Sequence, residues 1–321
     1  MKLFLHKAGY LLLMLLLISV ISFAAIHAAP NSFLSGGELN PNMSADSIER
    51  LKAVYGLDKP LIEQYADWIR NLARLDFGIS FVSGQDVAAE ILKRLPITLG
   101  INIASLIFVF FLSIWLGIKA AMRFEQRTDL VIRQLSLVSF AMPSFYLALL
   151  MILLFSVELG WLPITGLHTI GGPKEGLGYL LDMAWHLILP VSVMVFLSLG
   201  SMIVYVRSLT LEILKSDYYF FARARNLPEK TLMRRYILPN LMPPVITLLG
   251  LALPGLIGGS VILEQIFGIE GMGQLFFLSA LSRDYPVIMG ILMITAFLTL
   301  LGNIVADLLL LKLNPYAKRG Q

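Results

Sequence analysis

Several stretches of this chain are apolar on every side for the length of a membrane crossing, which excludes most soluble folds. Residues 99–116 contain no charged side chain, and residues 287–311 hold Asp307 as their one charged side chain. A helix rising about 1.5 Å per residue needs roughly 20 such residues to cross a hydrocarbon layer about 30 Å thick. Continuous apolar runs argue for helices, because a transmembrane barrel would show short segments of alternating polarity. The composition agrees: 57% of residues are hydrophobic and 14% charged, far from the balance of a soluble domain. There is no cysteine, which excludes a disulfide framework, a thiolate metal site and a thiol nucleophile.

The hydropathy pattern predicts an all-α integral membrane protein with six spans, at residues 9–29, 96–119, 135–157, 185–206, 243–263 and 286–311. The net charge of +4 reads as a topology signal rather than a nucleic-acid footprint. Lys119, Arg123, Arg127 and Arg133 fall in one inter-span loop, Arg207 to Arg235 in another, and Lys312, Lys318 and Arg319 in the tail. The two short loops of the opposite side hold only Lys174 and Arg283. The positive-inside rule therefore predicts both termini inside. The expected organisation is a first span at 1–29, a periplasmic segment at 30–95, a five-span core at 96–311 with an inner loop at 207–242, and a cytoplasmic tail at 312–321.

Lys2 and Lys7 before an apolar stretch, with Ala28 and Ala29 at its exit, also resemble a signal peptide. The apolar stretch is long for that role, and Pro30 is outside under either reading. Within the outer segment, Ser44 or Asp46 can cap one helix ending near Gly56, and a second is predicted after Pro60. Leu61, Ile62, Tyr65, Trp68, Ile69 and Leu72 share one face of that second helix, as suits a short cap lying on the membrane or on a partner.

The inner loop from Ser216 to Asn240 is too long and too patterned for a minimal connection. It reads as two short helices around a turn. Asp217 can cap the first, Asn226 can end it in the left-handed conformation, and Pro228 suits the first turn of the second. Such a pair is a handle that a soluble partner can grip, although a basic loop meeting lipid headgroups accounts for the charges equally well on physics alone.

This loop resembles the EAA loop of bacterial ABC importer permeases, in the dipeptide, oligopeptide and nickel branch. Ala222-Arg223-Ala224-Arg225 matches that branch's variant, with Asn226 at the glycine position, Tyr236 at the hydrophobic position and Leu238-Pro239 closing the motif. Phe220 and Phe221 replace the leading Glu and Ala, Glu270 stands where Pro is common, and Asn314-Pro315 replaces Asp-Pro. Similar signatures run along nearly the whole chain, among them residues 55–61, 75–80, 94–98, 142–145, 160–163, 186–190 and 283–287.

The resemblance implies a permease subunit of the inner membrane that pairs with a second, related permease, docks two cytoplasmic ATPase subunits and receives cargo from a periplasmic solute-binding protein. It implies no catalytic residue and no cofactor on this chain, ATP-Mg being used by the partner ATPases. Consistently, no Gly-x-x-x-x-Gly-Lys-Ser/Thr loop is present. Cargo stays open between peptides and a nickel complex. Pro254, Gly255, Gly258 and Gly259 suggest a bend or close helix approach at a pore or gate.

Two other classes compete with this one. An intramembrane enzyme would rest on Asp307, but Lys312 lies about one turn beyond it and favours an ion pair or snorkelling. His6, His27, His168 and His186 lack metal-ligand spacing, and His186 beside Trp185 reads as interfacial before it reads as a cargo contact. A channel or secondary transporter would leave the helical inner loop without a role and would predict an inverted repeat that is not evident.

Overall fold

The computed structural model describes residues 2–28, 59–252 and 261–313, with side chains described over 9–25, 59–248 and 261–304. All regular elements among them are helical, apart from one isolated bridge between Ile79 and Asp86. Among the described residues, three helices are long and apolar enough to cross a membrane: α3 (Val87–Met122), α6 (Gly176–Leu214) and the helix α12 (Tyr285–Leu313) over its first part, Tyr285–Ile304. The 39 residues of α6 extend about 58 Å, so it outreaches a bilayer.

The expected span at 135–157 is not one straight helix. It divides into α4 (Arg127–Ala141) and α5 (Ser144–Met151), which continues as a π-helical turn through Glu158, and the two halves meet at 109°. The cause is local. Met142 precedes Pro143 and is pushed into the extended region (φ −81°, ψ 127°), so the helix stops and restarts. The first expected span corresponds to α1 (Lys2–Ala28), and the helix expected after Pro60 is α2 (Leu61–Leu72), starting from Pro60 itself. The helix expected at 44–56, the residues Pro254, Gly255, Gly258 and Gly259, Asn314-Pro315, and the side chains of Asp307 and Lys312 lie outside the described residues.

The chain divides into two compact units. The first comprises α1, α2, the start of α3, the short apolar helix α11 (Met272–Ser282) and α12 to Leu301. Its core is Val87, Ile91, Met272, Leu275, Val287 and Ile291, and Gly290 allows the approach, since a Cβ there would lie 2.7 Å from Val87 Cγ1. Buried Asp284, just before α12, accepts hydrogen bonds from the Ser80 hydroxyl and the Phe81 amide (3.0 Å), tying the turn at 78–86 to the last helix. Thr98 Oγ1 likewise accepts from the Met272 amide at 2.8 Å. On α2, Tyr65 bonds Ser19 of α1 at 2.8 Å and Trp68 packs near Phe23, while Ile62 is exposed. On its polar side the Lys59 ammonium, 2.6 Å away, holds the Asp67 carboxyl below the usual carboxylate range.

The second unit contains α3 from Leu99, α4 to α6, the inner loop with its helices α7 (Asp217–Ala224) and α8 (Glu229–Leu232), then α9 (Leu238–Ala252) and, from Ile262, α10 (Val261–Ile266). Here α4 runs along α6 with small residues at the crossing. The Gly200 amide donates to Ser139 Oγ at 3.0 Å, the Ser139 hydroxyl donates to the Phe196 carbonyl, and Ile132 packs with Ile203 and Ala120. Gly117 admits Val206 in the same way, a Cβ there falling 2.6 Å from Val206 Cγ1.

Candidate functional site

The inner loop begins where α6 ends at Leu214. Ser216 is extended and precedes α7, but its hydroxyl turns back to the Ile213 carbonyl (2.6 Å), so the helix start has no side-chain cap. Asp217, expected as the cap, is instead the first helical residue, where its charge favours the positive end of the helix dipole. Asn226 ends the turn in the left-handed region at φ 53°, as expected, with its amide donating to the Arg223 carbonyl at 2.9 Å. Pro228 stands one position earlier than expected, at the cap of α8, where its carbonyl accepts from Thr231 (2.8 Å) and Leu232 (3.0 Å).

Between α8 and α9 the backbone widens into a π-helical turn, Met233–Ile237, with the Leu238 amide donating to the Met233 carbonyl. Pro239 explains why this turn does not relax to a regular helix: its ring would press on the carbonyl four residues back and it donates no hydrogen bond. Leu238-Pro239 is therefore a backbone feature, placed where the loop passes into α9.

The two faces of the loop differ sharply. Tyr219, Ala222, Leu232 and Ile237 are buried in one core with Val206 and Ile213 of α6 and Leu241 and Val245 of α9. Ala222 is 3% exposed, so any larger side chain there would have to displace its neighbours. The opposite face presents Phe220 and Phe221, each 66% exposed and stacked edge to face at 5.9 Å. Around them Arg223, Ala224, Arg225, Asn226 and Pro239 are exposed, while Tyr236 and Leu238 are half-buried. The motif residues thus fall into two groups, one that fixes the loop to the membrane helices and one that faces away.

Phe220 and Phe221, departures from the motif's pattern, are the most exposed aromatics of the loop, and two consecutive aromatics on a short helix are the sequence signal for them. The Arg207–Asp129 pair has no such signal, because 78 residues separate the partners. His186, weighed as a cargo contact, is buried with Nδ1 2.8 Å from the Asp182 carbonyl, while Asp182 holds Thr169 through its amide (2.8 Å) and hydroxyl (2.6 Å). That cluster pins the loop at 165–173 to the start of α6. Among the described residues, no group of three or more His, Asp and Glu side chains converges as a metal site.

Comparison with known proteins fits this architecture. Residues 113–319 match the family described as binding-protein-dependent transport system inner membrane component, and residues 1–102 match the N-terminal region described for the same class of membrane component. The oligopeptide transport system permease protein AppB of Bacillus subtilis (strain 168) is 37% identical over 302 residues, 94% of each chain. The di/tripeptide transport system permease protein DppB of Pseudomonas aeruginosa (strain UCBPP-PA14) is 33% identical with 93% of each chain covered. The glutathione transport system permease protein GsiC of Escherichia coli O1:K1 / APEC is also 33% identical, over 94% of each chain. Among solved structures, an inward-facing MetNI methionine ABC transporter chain shares the fold at a TM-score of 0.52 and 16% identity, covering 70% of this chain and 96% of that one. With family matches across almost its whole length, this chain belongs to the binding-protein-dependent transport system inner membrane components, the permease subunits of ABC importers, whose ATP hydrolysis lies in separate subunits.

Proposed function

We propose that this chain forms one half of a peptide-conducting pathway in the bacterial inner membrane, with the loop from Ser216 to Asn240 as the seat of a cytoplasmic ATPase. The observation that carries the proposal is the two-faced loop: Tyr219 and Ala222 are locked into the helical core while Phe220, Phe221, Arg223 and Arg225 face outward. Exposed aromatics with adjacent arginines are the composition of a protein-docking centre. The partners follow from that seat and from the family: a second related permease, two ATPases that bind ATP-Mg, and a periplasmic solute-binding protein. ATP binding closes the ATPase pair, the loop moves with it, and the membrane helices alternate between inward-open and outward-open states.

Peptide cargo is supported by the relatives, whose names specify oligopeptides, di- and tripeptides and glutathione. In a strain lacking this chain, resistance to a toxic peptide is expected to rise while radiolabelled nickel uptake is unchanged; loss of nickel uptake alone would reassign the cargo. Six spans with both termini inside are supported by the distribution of basic residues. Because the chain has no cysteine, single introductions report topology directly. Lys174→Cys should react with an impermeant maleimide from outside intact cells and Lys230→Cys only after permeabilisation, and the reverse labelling would invert the orientation.

A further inference from the structure

The deepest ion pair of the second unit joins two segments that the coupling reading leaves unconnected. Arg207 lies on α6, ten residues before α7 begins. Its Nε and Nη2 donate to Asp129 Oδ1 and Oδ2 at 2.6 and 2.7 Å, a bidentate fork on a carboxylate with 0% of its side chain exposed. Asp129 sits in the first turn of α4, and its Oδ2 also accepts from the amide of Glu125 at 3.0 Å. Glu125 is left-handed at φ 61°, so this carboxylate sets the shape of the turn between α3 and α4. The Arg207 guanidinium also lies 5.4 Å from the centre of the Phe124 ring in that turn.

Burying such a pair costs desolvation that its attraction only roughly offsets, so stability alone is a poor account of it. What a bidentate pair supplies is geometry. Along the antiparallel α4 and α6, the contacts run from Asp129–Arg207 through Ile132–Ile203 to Ser139–Gly200. Two directional pins at the ends of one helix contact remove sliding and rolling together, where apolar packing alone is non-directional.

We propose that Asp129 and Arg207 are positioning residues that join the turn at 123–126 and α4 to the inner end of α6, so that a displacement received at α7 reaches the bent α4–α5 pair without slack. The proposal rests on the coupling role assigned above to the loop. Tyr219 and Ala222 pass the load to α6 through the shared core, and Arg207 passes it to α4.

The test uses the complete transporter in proteoliposomes, with uptake per ATP hydrolysed as the readout and thermal midpoint as a check on folding. Arg207→Lys keeps the charge but loses the fork. Asp129→Asn with Arg207→Met removes both charges, so no orphan charge is left buried, and the asparagine side-chain oxygen still accepts from the Glu125 amide. Both variants are expected to retain a folded complex and ATP hydrolysis while uptake per ATP falls about tenfold, a size usual for coupling between distant sites. Arg223→Glu is measured alongside. An unchanged ratio in both pair variants, with Arg223→Glu uncoupled, overturns the positioning role and leaves the docking loop standing. A normal ratio in Arg223→Glu overturns the coupling reading and this proposal with it.

Discussion

Replacing Asn226 by proline is expected to leave a transporter that reaches the membrane and hydrolyses ATP but takes up cargo about tenfold more slowly or worse. Asn226 sits at φ 53°, and a proline ring fixes φ near −65°, so the turn cannot keep its shape. Two further effects add to this. The amide that donates to the Arg223 carbonyl at 2.9 Å is lost, and Arg225, now preceding a proline, is driven from its present φ −79°, ψ 8° toward extended backbone. The side chain of Asn226 is exposed, so the distortion stays at the tip of the loop and spares the buried Tyr219 and Ala222. Asn226→Gly should be close to wild type, because glycine enters the left-handed region freely, whereas Asn226→Val should fall between the two after a backbone cost of about 1–2 kcal/mol. Reconstituted uptake and ATPase rates measured together check the series. A proline variant with normal uptake at normal abundance would remove the turn from the coupling path.

Gly200→Ala is expected to be the most damaging single-methyl change among the described residues of the second unit. A Cβ at Gly200 would overlap the Ser136 carbonyl oxygen and fall 2.7 Å from Ser139 Oγ. The first obstacle is backbone, which cannot turn aside as a flexible side chain would. Overpacking of this kind costs about 1–3 kcal/mol. Displacing α4 also breaks the bonds from the Gly200 amide to Ser139 and from Ser139 to the Phe196 carbonyl, in a place where lipid offers no substitute partners. The purified complex should melt several degrees lower and accumulate less in cells. Gly100→Ala, where nothing lies within 4 Å of the added methyl, serves as the control and should be indistinguishable from wild type. Equal midpoints for the two variants would show that the α4–α6 crossing is looser than its geometry implies.

Local physics carried much of the sequence reading. The left-handed residue at Asn226, the helix following Pro60 and the apolar helices of the core depend on neighbours within a turn or two, or on continuous hydropathy, and they can be read in one pass. The break at Met142-Pro143 has a local cause too, yet hydropathy hides it, because the largely apolar run continues across the proline without a charged residue. The helix α11 is hidden for a related reason: eleven residues are too few to register as a span, and its start is defined by Gly271 and by the hydrogen bond that the Met272 amide donates to Thr98, 174 residues away.

The coupling loop shows where that division falls. From sequence alone came its position, its turn, its basic character and its resemblance to a docking element, all carried by residues adjacent in the chain. Which side of it faces the core was decided only in three dimensions, when Tyr219 and Ala222 met Val206 and Leu241 and left Phe220 and Phe221 outside. The bidentate contact of Arg207 with Asp129 belongs to the same class. Arginines near a membrane boundary read as topology signals whatever they touch, and only the close antiparallel packing of α4 on α6, allowed by Gly200, brings this one to its carboxylate.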